Sequence, residues 1–261
     1  MNYGEYLKAT GGSNILWMKK ENQVGVKFPF KSGTGCFTMD FTHSKVPYLV
    51  VGDYAGFKDA LEVTLLRDFH PSLVRITEIC SETGFVNKSP LFERTLNMRR
   101  YVVPNGCAGQ LSAYLVAITN EVVHLIDTQS TGSDICSILI LSNVIRDVIL
   151  KAENPMDKTV AIEKLNYLRY IAAEKNLAIV FMETVVSDWL RTLNIVEDFV
   201  GICCKCDHTT SGFCFGTDVG STLKDNFTFY VSEGDDLIKV VMPEFEDNEV
   251  DNILMKVICS R

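Results

Sequence analysis

Two short runs, Tyr48–Val51 (YLVV) and Leu177–Met182 (LAIVFM), carry an apolar or aromatic side chain at every position. A strand with one face in water alternates apolar and polar residues. An unbroken apolar run of strand length therefore reads as a strand covered on both faces. Strands of that kind form parallel sheets and need crossover connections of about a dozen residues or more. The chain supplies them. Phe57, Leu61 and Leu65 recur at helical spacing over Phe57–Phe69, Leu111, Leu115 and Ile118 do so within Leu111–Glu121, and Ala161, Leu165, Leu168 and Ala172 do so within Thr159–Lys175. Gln23–Phe28, Val74–Ile79, Arg99–Val103 and Val122–Asp127 read as further strands, Phe37–His43 as a short helix, and Ile135–Lys151 as a long amphipathic helix. The last third holds shorter runs, Phe199–Cys204, Phe213–Phe215, Phe227–Val231, Leu237–Met242 and Leu254–Cys259, read as strands paired around turns such as Ser232–Asp236. The expected fold is α/β, with a mostly parallel central sheet flanked by helices and extended by antiparallel C-terminal strands. Asn154–Asp157 joins two helices rather than two domains, which leaves one core.

Composition narrows the function classes. The 261 residues are 47% hydrophobic and 22% charged, enough to bury a core without disulfides or metals. The 25 Lys+Arg against 33 Asp+Glu give a net charge of −8, which argues against a protein that grips nucleic acid by charge alone. No apolar run reaches membrane-spanning length, and the N-terminal MNYGEYLKATGG lacks the apolar core of a signal peptide. Nine cysteines, an odd number with several inside apolar runs, fit a reducing, intracellular compartment.

In an open α/β sheet, ligands sit where strands hand over to helices at their carboxyl ends. Phe28–Thr38 (FPFKSGTGCFT), with Gly33 and Gly35, takes the expected position of a phosphate loop, G-x-x-x-x-G-K-[ST]. With Gly35 as the second glycine, Phe30 replaces the first, Cys36 the lysine and Phe37 the magnesium-binding hydroxyl. Val122–Asp127 (VVHLID), apolar and ending in a carboxylate, has the form of a Walker B strand. Cys203, Cys204, Cys206, His208 and Cys214 offer soft ligands, but their spacing lacks two separated knuckles. In a strand Cys204 and Cys206 face one way and Cys203 the other, so buried free thiols fit better than zinc. The four histidines are scattered and suggest no nucleophilic triad.

The run AYLVAITNEVVHLIDTQST, the helix after it, and NPMDKTVAIEKLNYLRYIAAEKNLAIVFMETVV together resemble the RecA-like core of the eukaryotic strand-exchange recombinases and their paralogues. QVGVKF with PFKSGTGCFTM resembles the family's phosphate-loop strand and loop, and YLVVGDYAGF its next strand. The resemblance covers about residues 20–242 and is nearest to small non-catalytic partner subunits of nematode paralogue complexes. It implies that Tyr54 stands at the catalytic Glu position and Thr184 at the Gln that senses nucleotide and DNA. Lysine, hydroxyl, Glu and Gln are then all replaced, which implies a pseudo-ATPase that binds no cofactor itself, with ATP and Mg supplied through a partner.

The same resemblance implies the rest of the expected role. Residues 1–19 are a docking segment and 20–261 the core. Tyr6 and Ala9 match the family's aromatic-x-x-Ala motif, which docks into a neighbouring subunit, and Asp127 is a further partner contact. Trp189 and Arg191 fall in a DNA loop, and Arg94, Arg99 and Arg100 form a second basic cluster. The implied function is to pair with another paralogue in the nucleus and to load or remodel the recombinase filament on single-stranded DNA. The alternatives are a divergent ATPase, or an unrelated α/β interaction scaffold.

Overall fold

The computed structural model describes residues 1–10, 24–32, 34–42, 46–69, 71–84, 89–128, 135–172, 174–186, 190, 198–233, 236–246 and 248–259. In chain order, α1 (Tyr3–Ala9) precedes β1 (Gly25–Pro29), β2 (Cys36–Asp40), β3 (Tyr48–Val51), α2 (Ala55–Asp68), β4 (Val74–Ser81) and β5 (Met98–Val103). Then come α3 (Ala108–Thr128), β6 (Cys136–Ser142), a π-helical turn at Ile145–Ile149, α4 (Pro155–Ala172) and β7 (Leu177–Glu183). The remainder holds β8 (Val200–Cys203), α5 (His208–Phe215), β9 (Thr228–Glu233), β10 (Asp236–Val241) and α6 (Glu249–Cys259).

Eight strands form one sheet in the order β10-β9-β8-β3-β7-β6-β4-β5. The pairs from β8 through β5 are parallel, while β9 and β10 join antiparallel at the C-terminal side. This is the expected architecture. Strand side chains alternate between faces, and that alternation sorts the buried residues into two cores. Val50, Ile76, Ile138, Ile140, Val180 and Met182 pack under α2, α6 and the β1–β2 hairpin. Leu49, Val51, Ile79, Leu139, Leu141, Ile179 and Phe181 pack under α3 and α4. Each aliphatic side chain so buried contributes roughly 1.5–3 kcal/mol, which is why YLVV and LAIVFM tolerate no polar residue.

The helices are set by local signals as well as by burial. Pro155 occupies the first turn of α4, where its missing N–H costs nothing, and Asn154 Oδ1 accepts the Met156 amide at 3.0 Å. Asn2 and Glu5 close a capping box at the start of α1. Asp207 caps α5 through the Thr210 amide at 2.9 Å, and Gly216 ends it with φ of 67°.

Five expected elements differ. Phe37–His43 is not a helix, because Cys36–Asp40 pairs antiparallel with β1 in a separate two-stranded sheet. Val122–Asp127 is not a strand but the end of α3, where Val122 continues the buried stripe of Leu111, Leu115 and Ile118. Ile135–Lys151 is not one helix: Cys136–Ser142 is a central strand, and the π-turn follows it. Phe213–Phe215 and Leu254–Cys259 lie in α5 and α6 rather than in strands. Short apolar runs fit either period, and packing decides between them.

Candidate functional site

The chain leaves β3 for β4 on one side, while β8 flanks β3 on the other. The carboxyl end of β3 is thus the topological switch point of the sheet. Only Gly52, Asp53 and Tyr54 separate β3 from α2. Counting a phosphate loop from Gly52 puts Phe57 at the second glycine, Lys58 at the lysine and Asp59 at the hydroxyl. Helix α2 has already begun at Ala55, so Lys58 lies on a formed turn and not on a loop that could wrap a phosphate.

Neighbouring segments occupy the turn. The Gly52 amide donates to the Glu183 carbonyl at 3.0 Å, and the Asp53 amide donates to the Lys205 carbonyl at 2.8 Å. Gly52 has φ of 96°, and a Cβ there would lie 2.6 Å from the Lys205 oxygen. A Cβ on Gly56, in the first turn of α2, would lie 3.2 Å from the Asn226 carbonyl oxygen. Asn226 in turn donates to Asp53 Oδ2 at 2.7 Å. Phe57 joins Phe28 and Phe229 in an aromatic cluster with ring centroids 5.2–5.3 Å apart. A glycine cradle works because backbone N–H groups point freely at a ligand. Here two such groups are bonded within the chain and the helix start is covered.

Lys58 turns into the core. Its ammonium pairs with Glu78, and Arg100 pairs with the other Glu78 oxygen. Ser142 also donates to Glu78, at 3.2 Å. Arg100 lies 3.6 Å from Glu62, and Lys58, Glu62 and Glu78 are wholly buried. Burial, then the Glu78 charge, pushes the Glu62 carboxyl up to about 8. The cluster locks α2 onto β4 and β5, where a phosphate-binding lysine would instead face the strand ends.

The ends of β6 and β7 complete the crevice. Ser142 and Asn143 stand at the tip of β6, where an ATPase keeps its metal-holding carboxylates. Asn143 adopts φ of 53°, and its Oδ1 accepts the Thr184 amide at 2.9 Å. Glu183 accepts the Ile145 amide at 2.9 Å, and burial pushes its carboxyl up to about 8 against the opposing charge of Arg146. Asp147 is also buried. Burial alone would raise it, but hydrogen bonds from Arg146, Lys151 and Thr83 outweigh that and hold it well below the usual carboxylate range. One carboxylate is therefore saturated by cations and the other favours its proton. Among the described residues no group of three His, Cys, Asp or Glu side chains is placed to hold a metal ion. Amides already bonded, a paired lysine and Asp59 at the hydroxyl position do not fit a Mg–nucleotide.

The sequence-predicted residues divide. Tyr54, buried at the start of α2, and Thr184, just past β7 and bonded by Arg146, do reach the crevice. Phe30, Gly35, Cys36 and Phe37 do not. They form the bend and second strand of the β1–β2 hairpin, where the Phe30 amide donates to the Gly35 carbonyl at 3.2 Å. No helix follows that bend, so it is not a phosphate loop. Tyr6 fills its own chain's core at 1% exposure, with its hydroxyl donating to the Lys27 carbonyl, and is not a free docking anchor. Ala9 ends the same helix and is exposed. Gly33, Trp189, Arg191 and the Asp127 side chain lie outside the described residues, although the Asp127 backbone belongs to α3 and not to a Walker B strand. Arg99 pairs with Glu121 and Arg100 with Glu78, which leaves the expected basic cluster largely neutralised. Missed by sequence reasoning were Lys58, Asn143 and Glu183. The six-residue step from Gly52 to Lys58 directly after YLVV was the signal that could have found the first.

No protein-family model matches the sequence, and no curated protein matches it. Solved structures do match. The pCW3 conjugation coupling protein TcpA, determined with ATPγS, is 14% identical with a TM-score of 0.61, over 89% of this chain and 70% of that one. The cytoplasmic domain of the Thermomonospora curvata type VII secretion ATPase EccC is 10% identical with a TM-score of 0.60, over 94% of this chain and 31% of that one. EssC (ATPases 2 and 3) from Geobacillus thermodenitrificans is 10% identical with a TM-score of 0.60, over 92% of this chain and 48% of that one. The chain thus spans less than half the length of the EccC and EssC chains. At 10–14% identity the likeness shows the fold alone, the mostly parallel α/β fold that these ATPase structures share. The RecA-like architecture expected from the sequence is shown in that form, without the recombinase assignment.

Proposed function

We propose that this chain is a P-loop ATPase fold that neither binds nor hydrolyses nucleotide and works by binding other proteins. One observation carries the reading. The β3–α2 turn has three residues, its Gly52 and Asp53 amides are bonded to Glu183 and Lys205, and Lys58 is paired with Glu78 in the core. Catalysis of phosphoryl transfer is positioning and charge stabilisation, and at this turn the described amides and lysine that could supply them are bonded within the chain. Calorimetric titration with ATP–Mg²⁺ into the millimolar range tests this directly. The expected result is no saturable heat and no phosphate release, and saturable binding would overturn it.

A narrower form of the proposal keeps the recombinase setting. The chain would pair with an ATP-binding paralogue in the nucleus, the partner supplying nucleotide, magnesium and most of the grip on single-stranded DNA. The resemblance of NLAIVFMETVV to the family's sensing strand, together with the −8 charge, supports it. With Tyr6 buried, docking would use another surface. Coexpression with a paralogue tests this form, and a chain that stays monomeric would overturn it. The second reading, a divergent ATPase, draws on the likeness to TcpA, and turnover in the titration above would favour it.

A further inference from the structure

Residues 203–206 read C-C-K-C, which places Cys203 and Cys206 in C-x-x-C spacing. On a continuing strand two residues three apart face opposite ways. Here β8 ends at Cys203, and the chain turns so that the two Sγ atoms stand 3.6 Å apart. The surroundings make room for that pair. A Cβ at Gly220 would fall 2.4 Å from the Cys206 sulfur and 2.7 Å from the Cys203 sulfur. Gly220 is pinned there, since its amide donates to Ser211 Oγ at 2.8 Å and Ser211 donates to the Thr217 carbonyl at 2.8 Å. Cys204 plays no part: it is buried in the opposite core. Cys203 is fully buried and Cys206 half-buried, so the two thiols differ in access.

We propose that Cys203 and Cys206 form a redox-active dithiol that exchanges with low-molecular-weight disulfides and closes to an intrachain disulfide. The accessible Cys206 thiolate attacks one sulfur of the small disulfide RSSR. A Cys206–SR bond forms, the RS–SR bond breaks, and the departing RS⁻ takes up the proton that Cys206 gave up. The Cys203 thiolate then attacks Cys206 Sγ and releases the second RSH. Two protein thiols are oxidised, the small disulfide is reduced to two thiols, and the two thiol protons end on them. Closure needs the sulfurs to approach by about 1.5 Å, within reach of a side-chain rotation at Cys206. Among the described residues no third ligand completes a metal site. The Cys203 contact, then burial, then the carboxylates of Asp207 and Asp218 hold the Cys206 thiol above its ordinary range, with His208 facing Asp218 at 3.1 Å. Exchange is therefore slow near neutrality and faster in alkali. None of this depends on the nucleotide reading.

Trypsin cuts after Lys205, between the two cysteines. The full chain carrying Cys204→Ser and Cys214→Ser keeps one cysteine each in peptides 192–205 and 206–224. After incubation with oxidised glutathione, acid quench and digestion without reductant, these peptides are expected joined, two hydrogens lighter than their sum, and separable by reduction. Adding Cys203→Ser is expected to trap glutathione on Cys206, while Cys206→Ser leaves Cys203 unmodified. The proposal is overturned if the peptides stay separate at alkaline pH while exposed Cys107 and Cys259 take up glutathione. It is equally overturned if Cys203 in the Cys206→Ser chain is modified as readily as Cys206. Circular dichroism checks the fold of each variant. Fragment mapping of the oxidised wild-type chain gives the same readout with no substitution.

Discussion

Replacing Lys58 with methionine separates a structural lysine from a phosphate-binding one. In a working phosphate loop the lysine faces solvent and ligand, so its loss removes binding and leaves stability nearly intact. Here the Lys58 and Glu78 side chains are both wholly buried, and their ion pair lies between α2 and β4. Breaking a buried pair by removing one partner costs about 3–5 kcal/mol, because the remaining charge stays uncompensated in the core. Arg100 still pairs with Glu78, which places Lys58→Met near the lower end, about 3 kcal/mol. For a chain of this size that lowers the melting temperature by roughly 6–12 °C. Urea denaturation followed by circular dichroism reads the loss. A second variant, Lys58→Met with Glu78→Leu, removes both charges and is expected to be less destabilised than the sum of the single changes, by about 1–3 kcal/mol of coupling. The reasoning fails if Lys58→Met keeps wild-type stability and the wild-type chain loses a measurable nucleotide affinity on that substitution.

Two further outcomes follow from the same crevice. Gly52→Ala forces φ of 96° on a residue with a Cβ and drives that atom to 2.6 Å from the Lys205 oxygen. A loss of about 3–4 kcal/mol is expected, from backbone strain plus the displaced Asp53–Lys205 hydrogen bond, and a denaturation midpoint near wild type would contradict it. Stability is also expected to peak near pH 5. Glu62 and Glu183 have folded values raised to about 8 from 4.5, so the native chain holds protons that the unfolded chain has released, and stability falls as pH rises between those values. Each group contributes at most about 1.4 kcal/mol per pH unit. Asp147, held below its usual value of 3.8, contributes stability that is lost as pH falls through the acid range. Melting curves from pH 3 to 9 test the profile, Glu183→Gln should flatten its alkaline limb, and a flat response between pH 5 and 8 would refute the assignment.

The parts of the fold legible in the sequence were those where burial leaves one option. YLVV and LAIVFM cannot be amphipathic, and both are central strands. The ILIL within CSILILS is equally apolar, but the VIRDVIL after it continues the pattern at helical spacing and hid the strand. VVHLID carried strand-like composition at the end of a helix whose stripe it extends. The site was harder, because glycine content misled. Gly35 of KSGTGC serves a hairpin bend, whereas the true strand-to-helix turn keeps the single glycine its backbone requires. The inward course of Lys58 depends on where α2 begins and on a glutamate twenty residues later in the chain, and neither is a local property. Strand alternation puts Cys203 and Cys206 on opposite faces only if the strand runs on, and β8 ends at Cys203.

The two margins of the sheet differ in kind. At β10 the hairpin closes over the outer strand, with Phe30 bridging Val240 and the Lys31 amide donating to the Lys239 carbonyl at 2.9 Å. At β5 no further strand is paired among the described residues, and Val102 there is exposed. Backbone groups left open along such a border are a template for another chain. Among the described residues the sheet is therefore asymmetric at its borders: the β5 side keeps its outer backbone groups open, while the hairpin bonds to the β10 side.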